Sequence, residues 1–337
     1  MISLLMLLML GAAGHRVVGE GDTVESIAED LGDPALAGLL RKINGLAEGE
    51  QPAVGAILGM PPSEGPADQA AVVQSLRGQA TMDRGLGPVS LGAGMLLSPG
   101  ARICTDQASF LTLKLAVGCT GEGGDEISLL PQTCITLNNT YESDGDRSSL
   151  VTMEQGSLTV QEDLKGEDGL VTVQTSAGVA SGRGGGFRVH VEEDASTRTE
   201  ALGNSVSVSG SGTEIGLDAG QGVRVKEGEA PGPVVQLAAP GSPALPEDQA
   251  LLRVPDFSWA EAEGALAYRL EFSADPGFSD VMFYTEVGET PWIPEAFALP
   301  TQPDAGVYWR VTTIDSLGFM GLPSPAHFAR FPPGVRP

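Results

Sequence analysis

Leu111-Thr-Leu-Lys-Leu-Ala-Val117 alternates apolar and less apolar side chains with a period of two, and Val189-His190-Val191 repeats the pattern farther along. A strand sends successive side chains to opposite faces, so this spacing predicts half-buried β-strands. From about 68 to 231 glycines punctuate such runs, which implies hairpins or stacked rungs, each burying one face against its neighbours. Composition points the same way: 46 Gly and 24 Pro suit short strands joined by turns, and aromatic residues are only 5% of the chain. The expected fold class is mainly β.

Helical periodicity is confined to residues 15–61. Asp22-Thr-Val-Glu25 has the spacing of a capping box, and Val24, Ile27, Ala28 and Leu31 follow on one apolar face before Gly32. Asp33 as N-cap and Pro34 as first residue predict a second helix through Leu36, Leu39, Leu40 and Ile43, ended by Asn44-Gly45. Extended pieces at Arg16-Val17-Val18 and Ala56-Ile57-Leu58 flank the pair, giving a strand-helix-helix-strand unit.

These residues resemble a LysM domain. Val18-Gly-Glu-Gly-Asp22-Thr-Val-Glu-Ser-Ile-Ala28, Ile43-Asn44-Gly-Leu46 and Val54-Gly-Ala-Ile-Leu-Gly-Met-Pro61 are similar to its three blocks, in order. The resemblance implies a shallow groove for acetamido sugars between the loop before the first helix and the loop after the second. Its ligand-binding residues here are Gly21, Asp22, Thr23, Asn44, Gly45 and Leu46, and its partners are peptidoglycan or N-acetylglucosamine oligomers. Ala47-Glu-Gly-Glu-Gln51 is longer and more acidic than the family pattern. Asp22 and Thr23 also suit capping, a purpose they would serve with or without sugar.

Farther along, Ser75-Leu-Arg-Gly-Gln-Ala80, Ala101-Arg-Ile-Cys-Thr105 and Ile127-Ser-Leu-Leu-Pro-Gln-Thr-Cys-Ile-Thr-Leu137 resemble early strands of the FecR-type periplasmic β domain. Val173 to Phe187 and Leu217 to Val225 resemble its central and closing blocks, with Arg183-Gly184-Gly185 standing where Arg-Gly-Thr is usual. The sigma-factor-regulating role of transmembrane members is not carried over, because neither a cytoplasmic segment nor a spanning helix is read here. Phe257-Ser-Trp259, Tyr268-Arg-Leu-Glu-Phe272 and Gly306-Val-Tyr-Trp-Arg-Val311-Thr-Thr-Ile-Asp315 resemble a fibronectin type III-like β-sandwich. In so small a sandwich Trp259, Tyr308 and Trp309 are expected to fill the core, with a sugar platform as the alternative.

The expected organisation is a signal peptide over 1–14, a LysM-like module over 15–61 and a linker over 62–67. An elongated FecR-like β domain over 68–231 follows, then a linker over 232–246, the sandwich over 247–331 and a tail over 332–337. Met1 to Leu10 is apolar and runs into Gly11-Ala12-Ala13-Gly14. That stretch falls short of the ~20 residues a spanning helix needs, so cleavage near His15 and export to the periplasm or cell envelope are expected.

Charge and chemistry narrow the partners. The formal net charge is −25 with no basic stripe, which disfavours nucleic acid and anionic membrane surfaces. No stable membrane span is read, leaving a neutral sugar polymer or an unidentified envelope protein. His15, His190 and His327 stand alone, and HExxH, P-loop, GxSxG and dinucleotide fingerprints are missing, so neither an enzyme nor a cofactor is expected. No metal site is expected either: Tyr141-Glu-Ser-Asp144-Gly-Asp146 does not continue as a calcium loop and reads as a polar hairpin tip. Gly182-Arg-Gly-Gly-Gly186 reads as a tight strand connection. Cys104, Cys119 and Cys134 lack metal-ligand spacing. One disulfide and one thiol are expected in an oxidising compartment, with the pairing left open. Cys104 with Cys134 is preferred if their strands are neighbours, since bridging needs Cα atoms within about 7 Å and Cys119 sits in a Gly-rich turn.

Overall fold

The computed structural model describes residues 15–19, 21–30, 36–44, 46–47, 49–59, 70–85, 87–115, 125–143, 146–161, 169–183, 185–244, 256–293 and 306–330. Residues 1–14, Leu31 to Pro34, Gly45 and Cys119, all named above, lie outside them, as do the side chains of Leu36, Leu39 and Ile43. The chain is mainly β, as its alternating runs imply.

Near the N-terminus His15–Val17 pairs antiparallel with Ile57–Gly59, and helices Val24–Asp30 and Leu36–Ile43 lie between them in sequence. Helices this short are marginal in isolation, so tertiary burial has to hold them. Val24, Ile27 and Ala28 supply it from the first helix, packing with Leu40, Val18 and Leu58.

Residues 70–236 build two facing sheets. One runs in the order Val89–Ser90, Ala80–Asp83, Ala101–Thr105, Cys134–Ser143, Asp146–Gln161, Leu170–Gln174, Val179–Arg183, Val206–Gly210, Thr213–Leu217. The second runs Leu96–Leu97, Ala71–Arg77, Phe110–Leu115, Glu126–Leu129, Asp146–Gln161, Phe187–Val191, Thr197–Ala201, Gln221–Val225, Val235–Gln236. Asp146–Gln161 belongs to both, pairing through Gln155 in the first and from Gly156 in the second. Gly156 makes that passage possible: its φ is +95°, and a Cβ there would lie 2.5 Å from the Cα of Thr133. Thr133 also ties the corner, accepting from the Ser157 N–H and donating to the Ser157 carbonyl.

Inner faces carry the predicted alternation. Leu111, Leu113, Leu115, Val189 and Val191 are buried in one continuous core with Ile103, Ile127, Ile135 and Val223. Cys104 and Cys134 stand opposite each other in register, their Cα atoms 4.2 Å apart, and are joined by a disulfide. Val179–Arg183 ends in the first sheet and Phe187–Val191 begins in the second, and Gly184 between them lies outside the described residues. A Cβ on Gly185, whose φ is +79°, would meet the Asn204 nitrogen at 2.0 Å. Cys134–Ser143 and Asp146–Gln161 pair antiparallel with Ser143 opposite Asp146, and Asp144 and Gly145, the expected polar tip, lie outside the described residues.

The C-terminal unit is a sheet of Val281–Val287, Ala265–Ser273 and Gly306–Asp315, with Met320–Pro323 and His327–Arg330 both pairing to the last of these. Tyr268, Leu270, Phe272, Trp309 and Val311 bury one face against Phe257 and Trp259. Trp259 and Trp309 are therefore core, as the sandwich reading expects, while Tyr308 lies on the opposite face and contacts Phe328. Residues 232–244 depart from the expected linker. Val235–Gln236 adds to the second sheet, Ser242–Pro243 pairs with Trp259–Ala260, and Ala239 accepts from the Thr313 hydroxyl, so backbone pairing fastens the segment.

Candidate functional site

At the N-terminal unit the hydrogen bonds differ from those the sequence pattern indicated. Thr23 and Ser26, not Asp22 and Glu25, form the reciprocal cap: Thr23 N–H donates to Ser26 Oγ at 2.9 Å and Ser26 N–H to Thr23 Oγ1 at 3.0 Å. Asp22 Oδ2 instead accepts from the Gly19 N–H at 3.0 Å, closing the turn around exposed Gly21. The helix starts one residue later than the Asp22 pattern implied, which moves the cap to Thr23.

Glu25 thereby faces Arg41 and Gln51 rather than reaching back. It pairs with Arg41 and accepts from Gln51 Nε2 at 2.8 Å, and these hydrogen bonds, Arg41 first, lower its pKa to about 2. Gln51 Oε1 accepts the Val24 N–H at 2.8 Å, so this one side chain links the segment after the second helix to the start of the first. On the other side, Asn44 Nδ2 donates to the Leu40 carbonyl at 2.8 Å and closes its helix. Leu46 is half-buried against the apolar core, its N–H bonded to the Arg41 carbonyl at 2.9 Å. Gly21, Asp22 and Thr23 thus sit in the loop before the first helix and Asn44 and Leu46 at the end of the second, while Gln51 is bonded to the first turn of the first helix at Val24 and Glu25.

A second site was not legible in the sequence. The outer face of the second sheet, opposite its apolar core, presents Arg188 and His190, Arg198 and Glu200, and Arg224, on three neighbouring strands. The C-terminal unit covers them. Arg188 Nη2 donates to the Met320 carbonyl at 3.1 Å and to the Gly321 carbonyl, while Glu200 Oε1 accepts the Met320 N–H at 2.7 Å. Arg188 Nε lies 3.1 Å from Glu200 Oε2, off the line of its N–H, so the two attract as charges while their other atoms grip the Met320–Pro323 backbone. Arg198 and Arg224 share Glu192 and place their guanidinium groups over the Phe319 ring, and Arg224 donates to the Leu317 carbonyl at 2.8 Å.

Toward the other end, Arg77 pairs with Asp280 and Ser75 donates to the Ser279 carbonyl. Phe110 and Leu130 pack there with Phe278 and Val281. This cover explains why Thr112 and Arg188, at polar positions of the alternating pattern, are buried.

Between these contacts a cleft of about 260 Å³ remains, walled by Arg188 and Leu202 from the sheet and by Arg269, Glu271, Arg310 and Met320 from the C-terminal unit. Burial pushes the Glu271 carboxyl up, but Arg310, Arg269 and Arg188 outweigh it and hold the pKa below the ordinary value. Burial lowers the Arg188 pKa, with Glu200 opposing. His190 is lowered to about 4 by burial first and by Arg198 second. A signal for this site existed only in the identity of the outward residues: Arg188, Glu200 and Arg310 alternate with core positions and read as solvated.

No family model and no curated protein matches the chain. Among solved structures, two crystal structures of a candidate anti-sigma factor from Parabacteroides distasonis ATCC 8503, at 2.50 and 1.65 Å resolution, are similar to it. Each shares 17% identity at a TM-score of 0.31 over 40% of this chain, which spans 58% of theirs. No helix among the described residues is long and apolar enough to cross a membrane, which says nothing of a β-barrel.

Proposed function

We propose that this is a non-catalytic cell-envelope protein. On this reading it binds peptidoglycan or another N-acetylglucosamine polymer through residues 15–61, a LysM-like module, and presents a FecR-like β domain and a fibronectin type III-like sandwich for interactions. The observation that carries the reading is the strand-helix-helix-strand unit with paired end strands, in which Val24, directly after Gly21, Asp22 and Thr23, is bonded to Gln51 in the segment that follows Asn44 and Leu46. The disulfide between Cys104 and Cys134 agrees with an oxidising, exported location.

One observation favours a second reading, an envelope signalling or assembly component without glycan binding. Gln51, which ends the acidic segment, is fastened to the first turn of the first helix, next to the loop of Gly21, Asp22 and Thr23 that a sugar would have to contact. Retention on insoluble peptidoglycan separates the two. The full chain should be retained and a chain lacking residues 15–61 should not, with little dependence on salt, because a neutral polymer releases few counterions. Failure of the full chain to bind, at any salt concentration, would leave the second reading.

A further inference from the structure

The cleft between the second sheet and the C-terminal unit gathers basic groups in a chain that has few. Lys and Arg number 19 against 44 Asp and Glu, yet three guanidinium groups and a single carboxylate line this cavity among the described residues. Arg269, Glu271 and Arg310 reach it from one face of the sandwich sheet, because residues two apart on a strand share a face and Glu271 stands opposite Arg310 in register.

Their hydrogen bonds leave capacity unused. Arg310 donates Nε to Glu271 Oε2 at 2.7 Å and lies over the Phe278 ring at 4.0 Å, while its two terminal nitrogens donate to no protein acceptor among the described residues. Glu271 Oε1 likewise accepts no hydrogen bond there. Arg269 is held by Glu286 and by the Tyr284 ring, and Arg188 by Glu200 and the Met320 and Gly321 carbonyls, so both are braced in place. Leu130, Leu202 and Met320 supply apolar wall.

We propose that this cleft binds a small organic acid carrying an amino or hydroxyl group beside its carboxylate and an apolar remainder, the pattern of an α-amino or α-hydroxy acid. The planar fork of Arg310 matches a carboxylate with two parallel hydrogen bonds. Glu271 Oε1 accepts from the neighbouring amino or hydroxyl group, and Leu130, Leu202 and Met320 take the side chain. A bare inorganic dianion satisfies Arg310 but is repelled by Glu271 and leaves the apolar wall unused. The cavity lies below the ~300–1,000 Å³ of pockets for drug-sized ligands, which restricts the ligand to small acids. The inference is independent of glycan binding.

Isothermal titration of the full chain at constant ionic strength tests it, with leucine, its α-hydroxy counterpart, 4-methylpentanoate and inorganic phosphate as probes. Saturable binding of leucine or the hydroxy acid is expected, roughly tenfold or more tighter than the acid lacking a donor group, because Glu271 Oε1 is then buried without a donor. Preference between the two names the donor. Arg310→Lys, which keeps the charge but loses the fork, should weaken binding by roughly tenfold. Leu202→Trp should abolish it by filling the cleft while touching no charge. Circular dichroism establishes that each variant is folded; if Arg310→Lys is not, Leu202→Trp decides. Binding of phosphate alone, equal binding of 4-methylpentanoate, no saturable heat with any probe, or undiminished binding by the folded variants overturns the proposal.

Discussion

The two sides of the sheet that contains Phe187–Val191 are shielded by opposite means, fully on the inside and, among the charged side chains outside, fully only at Arg188 and Glu200. Inside, Val189, Leu113 and Val223 exclude water with apolar surface alone. Outside, Arg188, Glu200, Arg198 and Arg224 are covered by the C-terminal unit, and water is replaced by ion pairs, backbone bonds and the Phe319 ring. Apolar packing is non-directional and adapts to substitution, whereas a buried pair is satisfied in one geometry and costs dearly when half is removed. The outer side therefore sets how the C-terminal unit sits on the sheet, and the inner side sets how well the sheet folds.

The sharpest break is Arg188→Ala. It leaves Glu200 buried without its counter-charge and takes one donor from the Met320 and Gly321 carbonyls, and should cost about 3–5 kcal/mol in denaturant unfolding. A loss under about 1 kcal/mol would mean that the outer face is held by packing rather than by charge.

Acid should act on the same side next. The His190 pKa is lowered to about 4 in the folded chain against ~6.5 unfolded, so the unfolded state binds more protons between those values. Stability contributed by neutral His190 is fully present above pH ~6.5 and is lost as pH falls toward 4, about 2 kcal/mol after allowing for its partial exposure. His190→Gln should remove that part of the slope. Denaturation curves for both proteins across this window give the difference, and parallel curves would contradict it.

The smallest effect belongs to an ion pair on the other sheet. Arg102 and Glu154 make two short hydrogen bonds, as good in geometry as anything around Arg188, but their side chains are 49% and 41% exposed against 9% and 4% for Arg188 and Glu200. Arg102→Ala should cost less than about 1 kcal/mol and lose even that at high salt. A cost rivalling that of Arg188→Ala would show that geometry, not desolvation, decides the value of these pairs.

The N-terminal unit shows how sequence legibility depends on range. Val24, Ile27 and Ala28 were readable as one helical face because their spacing is local, and they are buried together. Gln51 was not readable as a latch, because its partners at Val24 and Glu25 lie more than twenty residues away and nothing in its neighbourhood marks them. The cap moved from Asp22 to Thr23 for a similar reason: both residues cap well, and only the backbone's point of entry into the helix chooses between them.

By itself the sequence determined the period-two strands, their inner core of Leu111, Leu113, Val189 and Val191, the short helices, and the aromatic core around Trp259 and Trp309, since each follows from which side of a local element is apolar. Tertiary structure alone decided that Asp146–Gln161 passes between two sheets at Gly156, that Cys104 faces Cys134, and that Arg188, Glu200, Glu271 and Arg310 meet around a cleft. The physical reason is that an outward-pointing charge looks the same in a sequence whether it meets water or another sheet. Only the docking of distant strands removes the water and turns such residues into a site.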